Sequence, residues 1–406
     1  MEIDGVTGCQ LIALFHSNRS VDDPWYTIFV GIYAIFTFVP FILNLLVLLA
    51  LHLRNKSRNK ELSRPCNPIK RKLLLNQIPR DVLIVELAIS DLLLVLTTPF
   101  ISLSVLSMFW PFSSNNEFAC QFIRTVPPIL IYLSSLINLQ ISFNCWRQIN
   151  CPFEQQLTTR YLRYISPASL LIAIGMSIPR YICSRLYKLE DFLEMSIPMI
   201  LPNDTAENVC LNGSHFSDFS ETELSRKDNI SDLFLEIESE ISNAECNAKY
   251  DLANTKFCLE DWSYTTLSTK YRMYYLIFIL MFQLLIPGLL ISICYWLIYR
   301  KLKMKSLNNK RMISHRADIA TQNEDNRSKQ RNIRMASTSL AFFVSWLPIN
   351  IYNILLEAFP RLLGNDNEFN TVVSMVCHLV GICSTAVNPI MYTYLIEDVR
   401  SGKYKQ

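Results

Sequence analysis

Seven apolar runs, each long enough to cross a lipid bilayer, recur along this chain of 406 residues. A bilayer core needs about 20 apolar residues in a helix, and the runs occupy 26–53, 81–108, 118–146, 161–183, 273–299, 333–357 and 371–395. Hydrocarbon offers the backbone no hydrogen-bond partner, so such segments must be helices or strands of a closed barrel. Because no run alternates with the period of two that barrel strands show, the sequence predicts an all-α membrane protein, a bundle of seven transmembrane helices.

The charges between the runs predict how the bundle is oriented. The link between the first two runs carries nine Lys/Arg and one Glu, and residues 300–334 carry eleven Lys/Arg and three acids. The long segment 184–270 instead carries seven Lys/Arg and seventeen Asp/Glu. Because basic links stay in the cytoplasm, we expect the N-terminus (1–25) and the acidic second outer loop (184–270) to lie outside, and the short tail 396–406 to be cytoplasmic.

The remaining composition narrows the chemistry. Four N-x-S/T sequons fall in the segments predicted to lie outside, and they are the predicted glycosylation sites Asn18, Asn203, Asn212 and Asn229. The twelve Cys and five His show no spacing that would hold a metal ion. No Gly-rich phosphate loop or nucleophile elbow is present, so no enzyme activity is predicted. The basic links lie beside the spans, where they contact anionic membrane lipid rather than nucleic acid.

One carboxylate lies in the middle of the second run. An ionisable side chain inside a membrane span is costly and marks a functional site by default; the competing interpretation of Asp91 is an acid that is merely hydrogen-bonded inside the bundle. Polar residues at comparable depth in other runs favour a shared polar cluster able to hold a small cation such as sodium, formed by Asn44, Asp91, Ser134, Ser384 and Asn388.

Three prolines lie deep in the last three runs, at Pro287, Pro348 and Pro389. A proline inside a helix frees a backbone carbonyl and creates a kink. Kinks also occur in rigid bundles, but their presence in all three of these runs is typical of helices that tilt.

The motifs resemble those of rhodopsin-like (class A) G-protein-coupled receptors. The similarity rests on "LAISD" in the second run, Cys120 at the outer end of the third, "SWLP" in the sixth and "NPIMY" in the seventh. Longer strings, "SWLPINIYNILLE" and "VCHLVGICSTAVNPIMYTYL", together with "WPF" and "CLEDW", resemble the neuropeptide Y and neuropeptide F receptors. The resemblance implies a multi-pass receptor of the plasma membrane, with an extracellular peptide ligand and a heterotrimeric G protein as partners.

The resemblance also implies particular residue roles. Cys120 would form a disulfide bond with Cys258. The pocket for an amidated Arg-Tyr or Arg-Phe peptide end would consist of Gln283, Asn353, Glu357 and His378. The Glu357 carboxylate can bind a guanidinium in a bidentate manner, although a solvated carboxylate at a helix end is the competing interpretation. The competing interpretation of Gln283 is a hydrogen bond between helices, and that of His378 is a hydrogen bond to a neighbouring side chain.

The segment Asn144-Cys145-Trp146 stands where the receptor family has Asp-Arg-Tyr. Cysteine has neither the charge nor the reach of the arginine, and Asn144 replaces the acid that would hold it. A further departure is Pro127, followed by Pro128, where the neuropeptide Y pattern has a glutamine; two prolines would distort the third helix. The other residues that the resemblance assigns to the activation switch are retained: Tyr295, Phe342, Trp346, Pro348, Pro389 and Tyr392.

These features support one main hypothesis and two alternatives. The leading hypothesis is a G-protein-coupled neuropeptide receptor whose ligand ends in an amidated Arg-Phe or Arg-Tyr. The first alternative is a peptide-binding protein of the same fold with weak or no G-protein coupling, which Cys145 would allow. A membrane transporter is the second, but the inverted repeats typical of transporters are not found.

Overall fold

The structure is a computed structural model. The residues that it describes are 25–65, 71, 74–75, 77–106, 117–150, 159–188, 256–262, 269–311, 318–359 and 367–400. The four predicted glycosylation sites, Asn18, Asn203, Asn212 and Asn229, and most of the acidic loop lie outside them.

Seven long helical spans form the molecule. Six of them are single helices: span one is Trp25–Leu62, span two Ile78–Leu106, span three Glu117–Asn150, span four Thr159–Cys183, span six Asp318–Ala358 and span seven Asn367–Arg400. Span five comprises an α-helix Thr269–Ile279, a π-helical turn Leu280–Leu285 and an α-helix Ile286–Arg311. Each span contains a stretch long and apolar enough to cross a membrane. The predicted seven-helix bundle is therefore confirmed.

The spans pack in a closed ring. Successive spans contact one another from one to four, span five packs against span three, and span seven packs against both span six and span one. The largest core cluster is centred on Leu83, Leu87, Ile137, Ile141 and Ile298, from spans two, three and five. Many large apolar side chains on the outer surface are exposed, as expected for helices whose surroundings are lipid.

Two of the prolines at predicted kinks free a backbone carbonyl, and this carbonyl accepts a hydrogen bond from a side chain of another span. Pro287 has no N–H for the Gln283 carbonyl four residues earlier, and this carbonyl accepts a hydrogen bond of 2.6 Å from Ser135 Oγ in span three. Likewise, Pro389 frees the Thr385 carbonyl, which accepts from Asn44 Nδ2 of span one at 2.9 Å. These prolines therefore create points of attachment between spans as well as bends.

The double proline in span three does not interrupt the helix. Glu117–Asn150 is one continuous helix with Pro127 and Pro128 inside it. Each of the two prolines removes one backbone donor from this helix.

A short hairpin packs at one end of the bundle. Strand β1 (Ser184–Lys188) directly follows span four and pairs antiparallel with β2 (Lys256–Glu260), with Leu186 opposite Cys258. The two strands come from the two ends of the predicted second outer loop. The end of the bundle that carries this hairpin is called the outer end below, following the orientation predicted from the charges.

Candidate ligand site and cytoplasmic switch

A disulfide bond attaches the hairpin to span three. Cys258 of β2 is bonded to Cys120 near the start of the helix, as the resemblance implied, and Cys120 is fully buried. In addition, Arg124 Nη1, one turn further along span three, donates a hydrogen bond of 2.7 Å to the Cys258 carbonyl. The hairpin is thus held on span three by a covalent and a charge-assisted contact.

Glu260 anchors the same strand through arginines of two spans. Its carboxylate forms an ion pair with Arg180 of span four and lies 3.9 Å from Arg124 Nη2 of span three. Burial by itself would raise the pKa of Glu260, but the positive charges of Arg180, Arg124 and Arg272 outweigh this effect and lower the pKa to about 2. The carboxylate is therefore ionised at neutral pH and acts as a fixed negative charge.

The rest of the "CLEDW" string also contacts the bundle. The Tyr187 hydroxyl of β1 donates to the Asp261 carboxylate, and the Asp261 N–H donates to the Cys183 carbonyl at 2.7 Å. Trp262 is buried and its ring centroid lies 5.2 Å from that of Tyr275 in span five. Sequence reasoning used this string only as a family signature, whereas the structure gives its side chains a role in holding the hairpin against spans three, four and five.

Glu357 already pairs with a guanidinium of the chain itself. Its carboxylate lies 3.0 Å from Arg272 Nη1, which projects from the outer end of span five. The Glu357 side chain is only 13% exposed, whereas that of Arg272 is 46% exposed. Glu357 is therefore more than a solvated carboxylate at a helix end, and the more exposed partner of the pair is Arg272.

The other three residues predicted to bind the ligand lie at different depths. Asn353 is half-buried on the same face of span six as Glu357, four residues earlier. His378 Nδ1 lies 3.1 Å from the Tyr33 hydroxyl of span one, and its ring centroid lies 6.2 Å from that of Trp346. Gln283 is buried within the π-helical turn. The structure thus places Glu357 beside Arg272 at the outer end of the bundle and His378 between Tyr33 and Trp346.

One pair among the five residues of the predicted polar cluster is joined by a hydrogen bond, and the other three bond to different partners. Asn388 Nδ2 donates to Asp91 Oδ2 at 2.8 Å, which joins spans seven and two. Ser134 is at hydrogen-bond distance from Ser90, at 3.1 Å. Of the remaining members, Asn44 donates to the Thr385 carbonyl, and Ser384 accepts from the Trp346 indole N–H. All five predicted residues are at most 2% exposed; Ser90 and Thr385 were not anticipated.

These oxygen atoms fit a small hard cation. The side chain of Asn388 donates to Asp91 through Nδ2. Its other polar atom, Oδ1, is buried and has no hydrogen-bond partner among the described residues. A carboxylate, an amide carbonyl and hydroxyl groups such as Ser134 and Ser384 are the ligands that hard cations prefer. Asp91, Asn388 and Ser134 are thus the residues that could hold sodium. Groups of three or more His, Cys, Asp or Glu able to bind a metal are absent from the described residues.

The predicted switch residues lie in two clusters. The cluster at the end opposite the hairpin contains Cys145, Met335 and Tyr392, with Tyr295 and Trp146 packed against it. The Cys145 thiol lies 3.1 Å from the Met335 sulfur of span six, so an uncharged contact joins spans three and six where the family has its arginine. Asn144 is 3% exposed, and its Nδ2 has no hydrogen-bond partner.

The second cluster surrounds the indole of Trp346 in span six. Phe342 and Trp346 pack against Leu284 of span five, and Pro348 lies two residues beyond within the same helix. A Cβ atom at Gly381 would lie 2.8 Å from Trp346 Cε3, so only glycine fits the present position of the ring. The Trp346 side chain thus lies next to His378, a predicted ligand-binding residue, and donates to Ser384, a member of the predicted polar cluster.

Comparison with known proteins identifies the family. The family described as "7 transmembrane receptor (rhodopsin family)" matches residues 69–196 and 237–392, which is well over half of the chain. The chain belongs to the rhodopsin family of seven-transmembrane receptors. It is a multi-pass receptor of the plasma membrane, as predicted.

The receptor is similar to named neuropeptide receptors. It is 26% identical over 395 residues to the "Neuropeptide F receptor" of Drosophila melanogaster, covering 96% of this chain and 64% of that protein. It is 34% identical over 148 residues to the "Neuropeptide Y receptor type 4-2" of Homo sapiens, covering 36% and 35% of the two chains. "Neuropeptide receptor 3" of Caenorhabditis elegans is 31% identical over 158 residues, covering 38% and 40%. The receptor thus spans less than two thirds of the length of each relative.

Proposed function

We propose that this receptor binds an extracellular neuropeptide with an amidated Arg-Phe or Arg-Tyr end and signals through a heterotrimeric G protein. The similarity to receptors named for neuropeptides F and Y in fly and human supports the ligand class. Membership of the rhodopsin family supports the signalling partner.

The observation that carries the ligand proposal is the Arg272–Glu357 pair. The site already accommodates a guanidinium at 3.0 Å from a carboxylate that is 13% exposed. A carboxylate that is largely removed from water needs a cation to offset its desolvation, and Arg272 supplies that cation here. A peptide arginine can take the same place, because its guanidinium presents the same donors in the same planar geometry.

Binding would then be an exchange of one guanidinium for another. Arg272 is 46% exposed, so its head group can rehydrate without crossing a buried region. Glu260 also attracts Arg272, since this arginine is among the charges that lower the pKa of Glu260. The displaced Arg272 therefore has both water and a second carboxylate to stabilise it, and the exchange costs little free energy.

The acidic loop would assist the approach of the peptide. Residues 184–270 carry ten more acidic than basic residues, seventeen against seven. A net negative surface raises the association rate of a cationic peptide more than its final affinity.

A second candidate function is peptide binding with weak or no coupling, and the observation that favours it is the contact of Cys145 with Met335. Where the family has a long, charged arginine at the end of span three for the G protein, this chain has a small, buried thiol. Reach and charge are both absent at this position.

One experiment tests both candidates. The full chain is expressed in cells, exposed to a panel of amidated Arg-Phe and Arg-Tyr peptides, and assayed for peptide binding and nucleotide exchange side by side. We expect saturable binding that Glu357→Gln weakens strongly, together with nucleotide exchange. Binding without exchange, with exchange restored by Cys145→Arg, would select the second candidate. Absence of saturable binding for every peptide would reject both.

A further inference from the structure

A cluster of arginines lies at the end of the bundle opposite the hairpin. Arg54 and Arg58 are four residues apart on one face of span one, and Arg80 lies in the first turn of span two. All three approach Asp81: Arg58 Nη1 lies 2.5 Å from Oδ2, while Arg54 Nη1 and Arg80 Nε lie 3.5 and 3.8 Å from Oδ1. Their side chains are 5%, 13% and 13% exposed for Arg58, Arg54 and Arg80.

The charges of this cluster do not balance. Three guanidiniums face the single carboxylate that the described part of the chain brings to them, which leaves two positive charges in excess. Unpaired charge that is largely removed from water is costly. Such a cluster therefore favours an additional anion with close to two negative charges.

Hydrogen-bonding capacity is also left over. Within the described part of the chain, Arg58 Nε is buried and has no partner, although Nη1 and Nη2 of the same side chain bond to Asp81 and Asn55. Arg54 Nη2 donates to Gln77 Oε1 at 2.6 Å. The separations of 3.5 and 3.8 Å from Arg54 and Arg80 to Asp81 Oδ1 are too long for hydrogen bonds, so Arg80 and the remaining N–H groups of Arg54 can serve another acceptor. The first turn of span two adds the partial positive charge of a helix N-terminus.

The position of the arginine cluster relative to the membrane indicates which anion it binds. The apolar run of span one ends at residue 53, so Arg54 and Arg58 lie at the boundary between hydrocarbon and the cytoplasm in the predicted orientation. Basic pockets between helices at this level bind lipid head groups. A phosphomonoester carries a charge of about −1.5 to −2 at neutral pH, which matches the excess of the cluster. Guanidiniums bind phosphate oxygens in a bidentate manner.

We propose that Arg54, Arg58 and Arg80 form a binding site for the phosphomonoester of an inner-leaflet phosphoinositide. In the bound state, Arg54 and Arg80 contact the phosphate oxygens, and Arg58 remains attached to Asp81 while its Nε provides a further donor. The lipid would hold the ends of spans one and two together. The competing interpretation is an internal ion pair that only fastens the two spans.

The test uses the full receptor in nanodiscs of phosphatidylcholine that contain a small, varied fraction of phosphatidylinositol 4,5-bisphosphate. Bound lipid is counted by native mass spectrometry. In the double variant Arg54→Gln/Arg80→Gln, the Arg58–Asp81 pair is retained, and we expect lipid binding at least about 100-fold weaker, since each lost charge-assisted hydrogen bond to phosphate contributes about 10-fold or more. The matched control, Lys56→Gln/Lys60→Gln, removes the same charge from exposed positions of span one and should weaken binding by no more than about 30-fold, since only the general surface attraction, about 5-fold for each residue, is lost.

A gain of binding provides a result that misfolding cannot produce. Asp81→Asn removes the competing carboxylate, and we expect it to tighten phosphoinositide binding. Soluble inositol 1,4,5-trisphosphate, added to receptor in pure phosphatidylcholine, should bind far more weakly than the lipid if the bilayer supplies the head group; equal binding would assign the site to a free phosphate and reject the lipid. Equal losses in the two double variants would reject a specific site, and weaker binding by Asp81→Asn would leave only the internal ion pair.

Discussion

The proposed exchange of guanidiniums at Glu357 leads to an uncommon prediction. Removal of an arginine from the binding site should tighten the binding of an arginine peptide. The perturbation is Arg272→Gln, which removes the internal competitor but keeps a side chain of similar polarity. Because Arg272 is 46% exposed, solvent screens the pair, and an ion pair of this kind is worth about 0.2–1 kcal/mol. This free energy no longer has to be overcome by the ligand, so Kd should fall about 1.4- to 5-fold.

Glu357→Gln provides the opposite result. Loss of a charge-assisted hydrogen bond costs about 1.5–3 kcal/mol, which corresponds to a rise in Kd of about 10- to 150-fold. In the double variant, Arg272→Gln should no longer improve affinity, because without the carboxylate there is no competition to relieve. The two changes are therefore strongly coupled in a double-mutant cycle.

The assay is displacement of a labelled amidated Arg-Phe peptide from membranes that contain each variant. Lys270→Gln removes a positive charge from the same end of span five at an exposed position, and it controls for a general change in surface potential. The reasoning is refuted if Arg272→Gln weakens binding, or if it improves binding equally with and without the Glu357 carboxylate.

Three further predictions concern stability and the core. Gly381→Ala should lower the free energy of unfolding by about 1–3 kcal/mol in thermal denaturation, because its Cβ would overlap the Trp346 ring; an unchanged melting temperature would contradict this packing. Sodium should raise the melting temperature of the wild type but not of Asp91→Asn, and an equal rise in both would exclude the polar cluster as the cation site. Glu260→Gln should melt below the wild type at neutral pH. Because folding lowers the pKa of Glu260 from 4.5 to about 2, its stabilisation is present above pH 4.5 and is lost as pH falls toward 2, so the two melting curves should converge only in that range.

The sequence predicted those features that depend on local chemistry. Seven spans follow from the length of apolar runs, because the bilayer requires every backbone group in them to be satisfied within a helix. The contact of Asp91 with Asn388 was also predictable, since a membrane-embedded carboxylate must find a polar neighbour. The Cys120–Cys258 bond came from the family resemblance and is present in the structure.

The features that depend on helix rotation and register were not predicted. Glu260 is 80 residues from Arg180 in the sequence, and nothing local indicates that the two meet. Arg272 lies just before an apolar run, where it could have been one more interfacial cation. The π-helical turn Leu280–Leu285 contains the Gln283 carbonyl, which Pro287 frees and Ser135 binds. Because Ser135 lies on span three and Pro287 on span five, the pattern of one helix does not predict this contact.

The two carbonyls freed by Pro287 and Pro389 have a consequence for how this receptor changes shape. Each is buried, and each accepts its hydrogen bond from a single side chain on another helix, Ser135 or Asn44. A relative movement of about 1 Å breaks such a bond, and an orphaned buried carbonyl costs about 1–3 kcal/mol. The spans therefore cannot slide gradually past these points. Any rearrangement of spans five or seven must instead occur in discrete steps, in which a water molecule or another side chain replaces Ser135 or Asn44 as the donor.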